Sequence, residues 1–439
     1  MSISYLNNPS AVCDYSITVE NREESVVEAV RRVIPAWSSA LTADTKLTVL
    51  TGGITNTMYL LAWKEERVLV RLFGENTELM IDRNAENKLF AALGTLGMGC
   101  PTFHGLFNNG RVEGYLNARS ITADEMKEPF VYRRVAASAA RFHTRGSTID
   151  EALVSHQNRM HSPGEGMYMQ YYELTKGIAF RAEGEKKAKL DALKLPEMYT
   201  EIVWLLDWLK VQTAESRAAA LNLPLVDSAA HTVFIPAAML ADSANHRNMA
   251  RFLAYQEVLC HHDLLCGNLM MDRKLEELVQ AGKEPDDTEG ITLIDYEYAA
   301  FTYRAFDLGN FFCEFAGFDS SIEEAYPGPH TRRAVIRAYF DACAAEFEQQ
   351  EASSTNMEAR IWRYWQGLRK DGSGEASAAA NSLVEEFEVC TNQLAICAHV
   401  LWFLWGIVQD EYSANDFDYL DYSRVRLEGY NYHKKTFHS

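Results

Sequence analysis

Metal-binding cysteine pairs are missing from this chain of 439 residues: its eight cysteines are scattered, with no C-x-x-C spacing. That pattern reads as reduced, mostly buried thiols and argues against zinc. A basic surface is missing as well. Formal net charge is −19, which repels phosphate backbones and anionic lipid headgroups, so nucleic acid is excluded as an expected partner. The same charge is compatible with a small cationic substrate but does not select one. The opening MSISYLNNPSAVCDYS has no basic stretch followed by an apolar core, so no signal peptide is expected. The longest apolar run, Leu394 to Val408, is interrupted by His399 and falls short of the ~20 residues a span needs. The expectation is a cytoplasmic protein with no stable membrane insertion. No internal repeat stands out.

What is present suits a large globular protein. Hydrophobic residues make up 47% and charged residues 23%, enough apolar material for a sizeable core, and the length suits two lobes sharing a cleft. Residues 22–36 carry an amphipathic pattern ending at Pro35, a leading helix. Leu47–Leu50, Met58–Trp63 and Arg67–Phe73 are strand-like. Residues 78–97 read as a helix with Asp82 and Glu86 on a face that Lys88 and Phe90 do not share. Short strands return over 101–116, with Asn108-Asn109-Gly110 as a turn. The pattern predicts a β-rich lobe over 1–115, a hinge over 113–119, and a mainly helical lobe over 116–439. Helices are expected over 124–145, 168–190 and 196–221. Irregular insertions are expected over 222–248 and 370–380, and 273–290 reads as a long exposed loop joining two strands.

Two runs carry the chemistry. The first is Cys260-His261-His262-Asp263-Leu264-Leu265-Cys266-Gly267-Asn268, of the form H-x-D-x-x-x-x-N. This is the spacing of a kinase catalytic loop, in which the Asp accepts a hydroxyl proton and the Asn offers a neutral oxygen to Mg²⁺. By itself it fits a capped turn better, since Asp and Asn are common in loops. The second run places Asp295 after the apolar Ile291-Thr292-Leu293-Ile294, where a carboxylate at a strand end can chelate a hard cation. Glu297 shares its face if the strand continues. Together the runs point to phosphoryl transfer from Mg-ATP to an alcohol, with Asp263 as base and Asn268 and Asp295 as metal ligands.

Three further features have both a functional and a plain reading. Thr51-Gly52-Gly53-Ile54-Thr55-Asn56 lies between strands; Gly52 and Gly53 would let backbone amides, with Thr55 and Asn56, approach a phosphate, or would simply turn a hairpin. Arg71 sits inside the apolar strand Val68–Phe73. A buried cation needs a partner, and Glu86 is the candidate; the plain reading is an Arg pointing outward from an edge strand. Trp402 and Trp405 share a helix face and are followed by Phe417 and Tyr422. Such aromatics can cage an ammonium group or can be core.

These residues resemble the eukaryotic choline/ethanolamine kinases, and the ethanolamine kinases in particular. The likeness rests on TGGITNTMYLL, VLVRLFGENTELMIDRNAE, LFNNG, CHHDLLCGN, LIDYEYAAFTYRAFDLGNFFCEFAGF and LWFLWGIVQ. It covers about residues 45–116 and 255–432. It implies an α+β, protein-kinase-like bilobal fold and ATP- and Mg²⁺-dependent phosphorylation of ethanolamine, the first step of the CDP-ethanolamine route to phosphatidylethanolamine. It implies that Arg71 and Glu86 act on the nucleotide side. It also implies that Glu314, Trp402, Trp405, Phe417 and Tyr422, with Glu297, form the substrate pocket. His262 departs from the family's usual Asn, and residues 150–255 match poorly. A choline or dual-specificity kinase, an aminoglycoside-type phosphotransferase and a non-catalytic binding module stay open beside it, as does a homodimer.

Overall fold

The computed structural model describes residues 12–18, 20–50, 56–74, 79–160, 166–225, 240–283, 288–317, 321–350, 356–413 and 415–438. They divide into two compact units: Met1–Ala118 with Tyr412–Asp416, and Arg119–Glu411 with Phe417–Ser439.

The first unit is a six-stranded sheet with two helices. Its strands are β1 (Val12–Cys13), β2 (Thr45–Leu50), β3 (Asn56–Trp63), β4 (Glu66–Phe73), β5 (Phe103–Phe107) and β6 (Gly110–Gly114), in the spatial order β1-β5-β6-β4-β3-β2. Helix α1 (Arg22–Val33) begins with Glu23 and Glu24 and ends with Arg31 and Arg32, each favourable to the helix dipole. It stops before Pro35, whose ring holds Ile34 in an extended conformation. Period two in β3 buries Tyr59, Leu61 and Trp63, and in β4 Val68 and Val70, against Val26, Val30 and Trp37. Gly110 is obligatory where it sits: a Cβ there would stand 2.1 Å from the Arg71 carbonyl oxygen.

Helix α2 (Arg83–Leu93) is shorter than the expected 78–97, because Asp82 caps it by accepting from the Ala85 amide. The expected division of its faces is also corrected. Glu86 and Phe90, one helical turn apart, are both buried.

In the second unit two antiparallel strand pairs position the loops that hold the candidate site residues. Strand β8 (Glu257–Cys260) pairs with β11 (Ala300–Tyr303), Cys260 opposite Ala300. Strand β9 (Leu269–Asp272) pairs with β10 (Ile291–Leu293), Leu269 opposite Leu293. Strand β7 (Ala118–Ser120), at the boundary between units, lies beside β9. The loops 261–268 and 294–299 therefore leave paired strands side by side. Around them pack α3 (Pro129–Gly146), α4 (Met167–Arg181), α5 (Gly184–Ala192), α6 (Leu195–Ala220), α7 (Ser243–Ala254), α8 (Arg273–Gln280), α9 (Arg304–Cys313), α10 (Pro329–Gln350), α11 (Met357–Asp371), α12 (Gly374–Tyr412) and α13 (Tyr419–Phe437).

Several expected boundaries move. The single helix over 168–190 is two, α4 and α5, with Gly184 at φ 59° after the break. The loop over 273–290 contains α8, started by Asp272, which accepts from the Leu275 amide. Residues 226–239 of the expected 222–248 insertion lie outside the described residues, and α7 already begins at Ser243. The expected irregular insertion over 370–380 is a tight turn. Gly372 adopts φ 65° and ends α11, and the Ser373 hydroxyl accepts from the Ala376 amide to start α12. An alanine-rich run next to a cap propagates a helix; only the glycine interrupts it. Helix α12 is long and apolar enough to cross a membrane by length and composition, but 94% of its apolar window is buried inside the protein.

Candidate active site

Asp263 sits in the loop after β8, half-buried. Asn268 Nδ2 donates to its carboxylate Oδ2 at 2.8 Å and to its backbone carbonyl at 3.0 Å. The five-residue spacing thus closes a turn in which the Asn amide nitrogen is spent on Asp263. The two loops are stitched together. Ile294 N–H donates to the Asn268 carbonyl at 3.1 Å, and His261 Nε2 lies 2.9 Å from the Ile294 carbonyl.

The loop backbone is held in an uncommon conformation. His262 has φ 70° and Asp295 φ 66°, both unusual for residues with a Cβ. Asp307 at the start of α9 constrains the first: its carboxylate accepts from the amides of His261 at 2.6 Å and His262 at 2.8 Å. A buried relay orients Asp307 in turn. Arg304 donates to the Tyr339 hydroxyl at 3.0 Å, that hydroxyl lies 2.6 Å from His143 Nδ1, and His143 Nε2 lies 3.0 Å from Asp307 Oδ2. Burial would raise the Asp307 pKa, but its bond to His143 and the charges of the neighbouring histidines hold it below the usual range. Burial lowers the His143 pKa, and its bond to Asp307 pulls the other way. Asp307, His143 and Tyr339 were not singled out from sequence, although Asp307 lies inside a quoted run. Their signal is a long-range contact that spacing cannot carry.

Asp263 is pushed well above the ordinary carboxylate pKa, first by burial and then by the negative charges of Glu314, Asp295 and Glu297. Three carboxylates therefore act on Asp263. Asn158 Nδ2 fixes the Glu297 carbonyl at 3.0 Å. Glu314 is not a lone acid: Arg426 Nη2 donates to its Oε1 at 2.7 Å, both residues being buried. Arg426 also lies 4.9 Å over the Tyr422 ring.

The aromatic residues named from sequence do come together. Trp402 and Trp405 meet edge-to-face at 5.5 Å, Trp405 meets Tyr422 at 5.9 Å, and Phe417 meets Tyr422 at 5.9 Å. Two residues missed by sequence orient them. Trp402 Nε1 donates to Asn310 Oδ1 at 2.9 Å, and Trp405 Nε1 donates to the Tyr298 hydroxyl at 2.7 Å. The Tyr298 ring packs against Trp402 at 5.4 Å.

In the first unit, Arg71 and Glu86 are both buried but belong to a wider network than the expected pair. Arg71 Nε and Arg111 Nε donate to Glu113 Oε1 at 3.0 and 2.6 Å. Glu86 takes Arg111 at 2.5 Å and Arg83 at 2.8 Å. Arg83 also donates to Asn56 Oδ1 at 2.9 Å, so Asn56 is anchored to this cluster. Burial alone would raise Glu86, but Arg111, Arg83 and Arg71 outweigh it and bring it to about 2. Arg111 and Glu113 alternate around Val112 on β6, Arg111 opposite Arg71 and Glu113 opposite Leu69 in the sheet register. Two charges on one strand face were the available signal. Gly52, Gly53 and Thr55 lie outside the described residues.

A sequence model of the choline/ethanolamine kinase family matches residues 47–431. Mouse ethanolamine kinase 1 is 25% identical over 94% of this chain and 91% of its own length. An Arabidopsis thaliana probable choline kinase 2 is 26% identical over 94% and 93%. Among solved structures, a Plasmodium vivax ethanolamine kinase superposes with a TM-score of 0.58 at 17% identity, covering 95% of this chain and 90% of that one. A choline kinase from Cryptosporidium parvum gives 0.56 at 19% identity, covering 93% and 94%. The fold is thus protein-kinase-like, with a β-sheet N-terminal part and a mostly helical remainder.

Proposed function

Because the chain belongs to the choline/ethanolamine kinase family, we propose that it transfers the γ-phosphoryl group of ATP to the hydroxyl of ethanolamine. The alcohol oxygen bonds to the γ-phosphorus, the bond to the β-bridging oxygen breaks, ADP leaves with that electron pair, and Asp263 takes the hydroxyl proton. Asp263 has a raised proton affinity and a fixed orientation on Asn268, both suited to a base that acts late in the step. Oxygen-only donors fit a hard cation, so Asn268 and Asp295 are read as the residues that would hold Mg²⁺. Bound there, Mg²⁺ would neutralise phosphate charge. Arg71, with the Arg83–Glu86–Arg111 network behind it, is read as the nucleotide-side cation, and Asn56 as part of its support.

One observation carries the choice of amine: the surplus of carboxylate charge around Asp263 from Glu314, Asp295 and Glu297. A primary ammonium has N–H donors that lose hydration on entering a pocket and need acceptors. A quaternary ammonium has none and is satisfied by aromatic faces. The similarity to ethanolamine kinases supports the same reading. The Trp402–Trp405–Tyr422 cluster favours a second one, in which choline is also accepted. Rates with ethanolamine, its mono- and dimethyl forms and choline decide between them. kcat/KM should fall with each added methyl group; a flat or rising series would make this a choline or dual-specificity kinase. The proposed setting is the cytoplasm, at the entry to phosphatidylethanolamine synthesis.

A further inference from the structure

Behind the aromatic cluster, the end of α9, the middle of α12 and the last turns of α13 bring three metal-ligating side chains together. Cys313 Sγ lies 3.5 Å from His399 Nε2, which lies 3.1 Å from His433 Nδ1. All three ligand atoms fall within 4.8 Å of one another. None of the three residues is more than 1% exposed. Gly429 makes room for the arrangement, since a Cβ there would stand 2.4 Å from the His399 ring. Tetrahedral zinc, with Zn–S of about 2.3 Å and Zn–N of about 2.0–2.1 Å, sets its ligand atoms roughly 3.3–3.6 Å apart. The two observed separations are close to these edges.

The Cys313 thiol and His433 Nδ1 both converge on His399 Nε2, a nitrogen with one lone pair. His433 Nδ1 can turn its proton instead to the Gly429 carbonyl at 3.1 Å, and the Cys313 thiol can turn to the Ala395 carbonyl at 4.0 Å, so the hydrogen bonds do not require the three ligand atoms to converge on one point as they do. The far nitrogens, His399 Nδ1 and His433 Nε2, have no hydrogen-bond partner among the described residues. They remain so in either state and do not decide the matter. Of the charged groups that act on the cluster, Arg426 is paired with Glu314, and Arg332 lies on the His433 side.

We propose that Cys313, His399 and His433 form a structural site for a zinc-class divalent cation, held by one thiolate and two neutral imidazoles with water in the fourth position. Binding releases the thiol proton to solvent. The metal would tie together the three helices that carry Glu314, the Trp402–Trp405 pair and Tyr422, separately from any Mg²⁺ at the catalytic loop.

The test uses the full chain, purified without chelators or metal-affinity resin. About one equivalent of Zn²⁺ per chain should survive dialysis. Cobalt substitution should give the thiolate-to-metal charge-transfer band and intense visible bands of a tetrahedral site. Cys313→Ser should abolish the charge-transfer band, and His433→Gln should lose the retained zinc. A folded wild-type chain that retains no zinc and gives only the weak cobalt spectrum of oxygen ligands would overturn the proposal. So would a charge-transfer band that persists in Cys313→Ser, which would place the metal on another thiol. Neither readout depends on turnover, so failure here leaves the kinase reading intact.

Discussion

The two ionic clusters of this chain use the same kinds of side chain to opposite ends. In the first unit Arg71, Arg83 and Arg111 enclose Glu86 and Glu113, three cations to two carboxylates. In the second, Asp295, Glu297 and Glu314 act on Asp263, with Arg426 bonded to Glu314. Burial penalises the charged carboxylate in both. The neighbours decide the outcome: Glu86 drops to about 2, whereas Asp263 rises well above its ordinary value. A balanced network is a rigid support with a slight positive excess. A carboxylate surplus suits the cation-binding role proposed for it.

The sharpest way to break this contrast is at Asp263. Asp263→Ala should lower kcat by roughly 10²–10⁴ while leaving ATP affinity nearly unchanged, because a base acts in the transition state. Near wild-type turnover in a folded variant would remove the surplus cluster from the chemistry. In the balanced cluster, the loss should appear as stability. Glu86→Ala takes a carboxylate from buried Arg111, which keeps Glu113, and from half-buried Arg83, and should cost about 3–5 kcal/mol in urea unfolding. A loss under ~1 kcal/mol, the range of an exposed pair, would mean that water reaches the network.

Asp295→Asn should raise the Mg²⁺ concentration for half-maximal rate by on the order of tenfold, since a charged oxygen ligand is lost. Overlaid Mg²⁺ titrations would move the ligand elsewhere, Glu297 being the next candidate. Glu314→Gln should reduce kcat/KM for ethanolamine about tenfold more than for choline, the ~1.4 kcal/mol of one weakened charge-assisted hydrogen bond. Because Glu314 also binds Arg426, equal losses for both substrates would identify it as support for the pocket and not as its selector.

The smallest effect is in pH dependence, and the two clusters should differ in sign. Glu86 binds its proton less readily when folded, so its contribution is present above the unfolded value of 4.5 and is lost as pH falls towards about 2. Asp263 binds its proton more readily when folded, so stability drains from its cluster as pH rises above 3.8. Mg²⁺ should therefore raise the melting temperature more at neutral pH than at pH 5. An equal rise at both would mean that the carboxylates are already compensated.

Some expectations failed for reasons of composition read without context. The run Lys370–Ala380 looked like a linker because it mixes Gly, Ser and Ala. Yet a single αL glycine and one serine cap turn it into two abutting helices. Likewise, a run of charges over 273–290 read as a loop, although Asp272 is a helix cap with a buried Leu275 three residues on.

The sequence by itself determined what spacing within one turn can determine. The Asp263–Asn268 closure, the Trp402–Trp405 pair and the alternating core of β3 each follow from the geometry of a loop, a helix or a strand. Only the tertiary structure decided who partners whom across the chain. Arg426 reaches Glu314 over 112 residues, Asp307 grips the His261 and His262 amides over 46 and 45, and Trp405 finds Tyr298 over 107. A buried polar group must be satisfied by something, but which residue satisfies it is fixed by how helices and strands pack, and spacing in the chain carries no record of that.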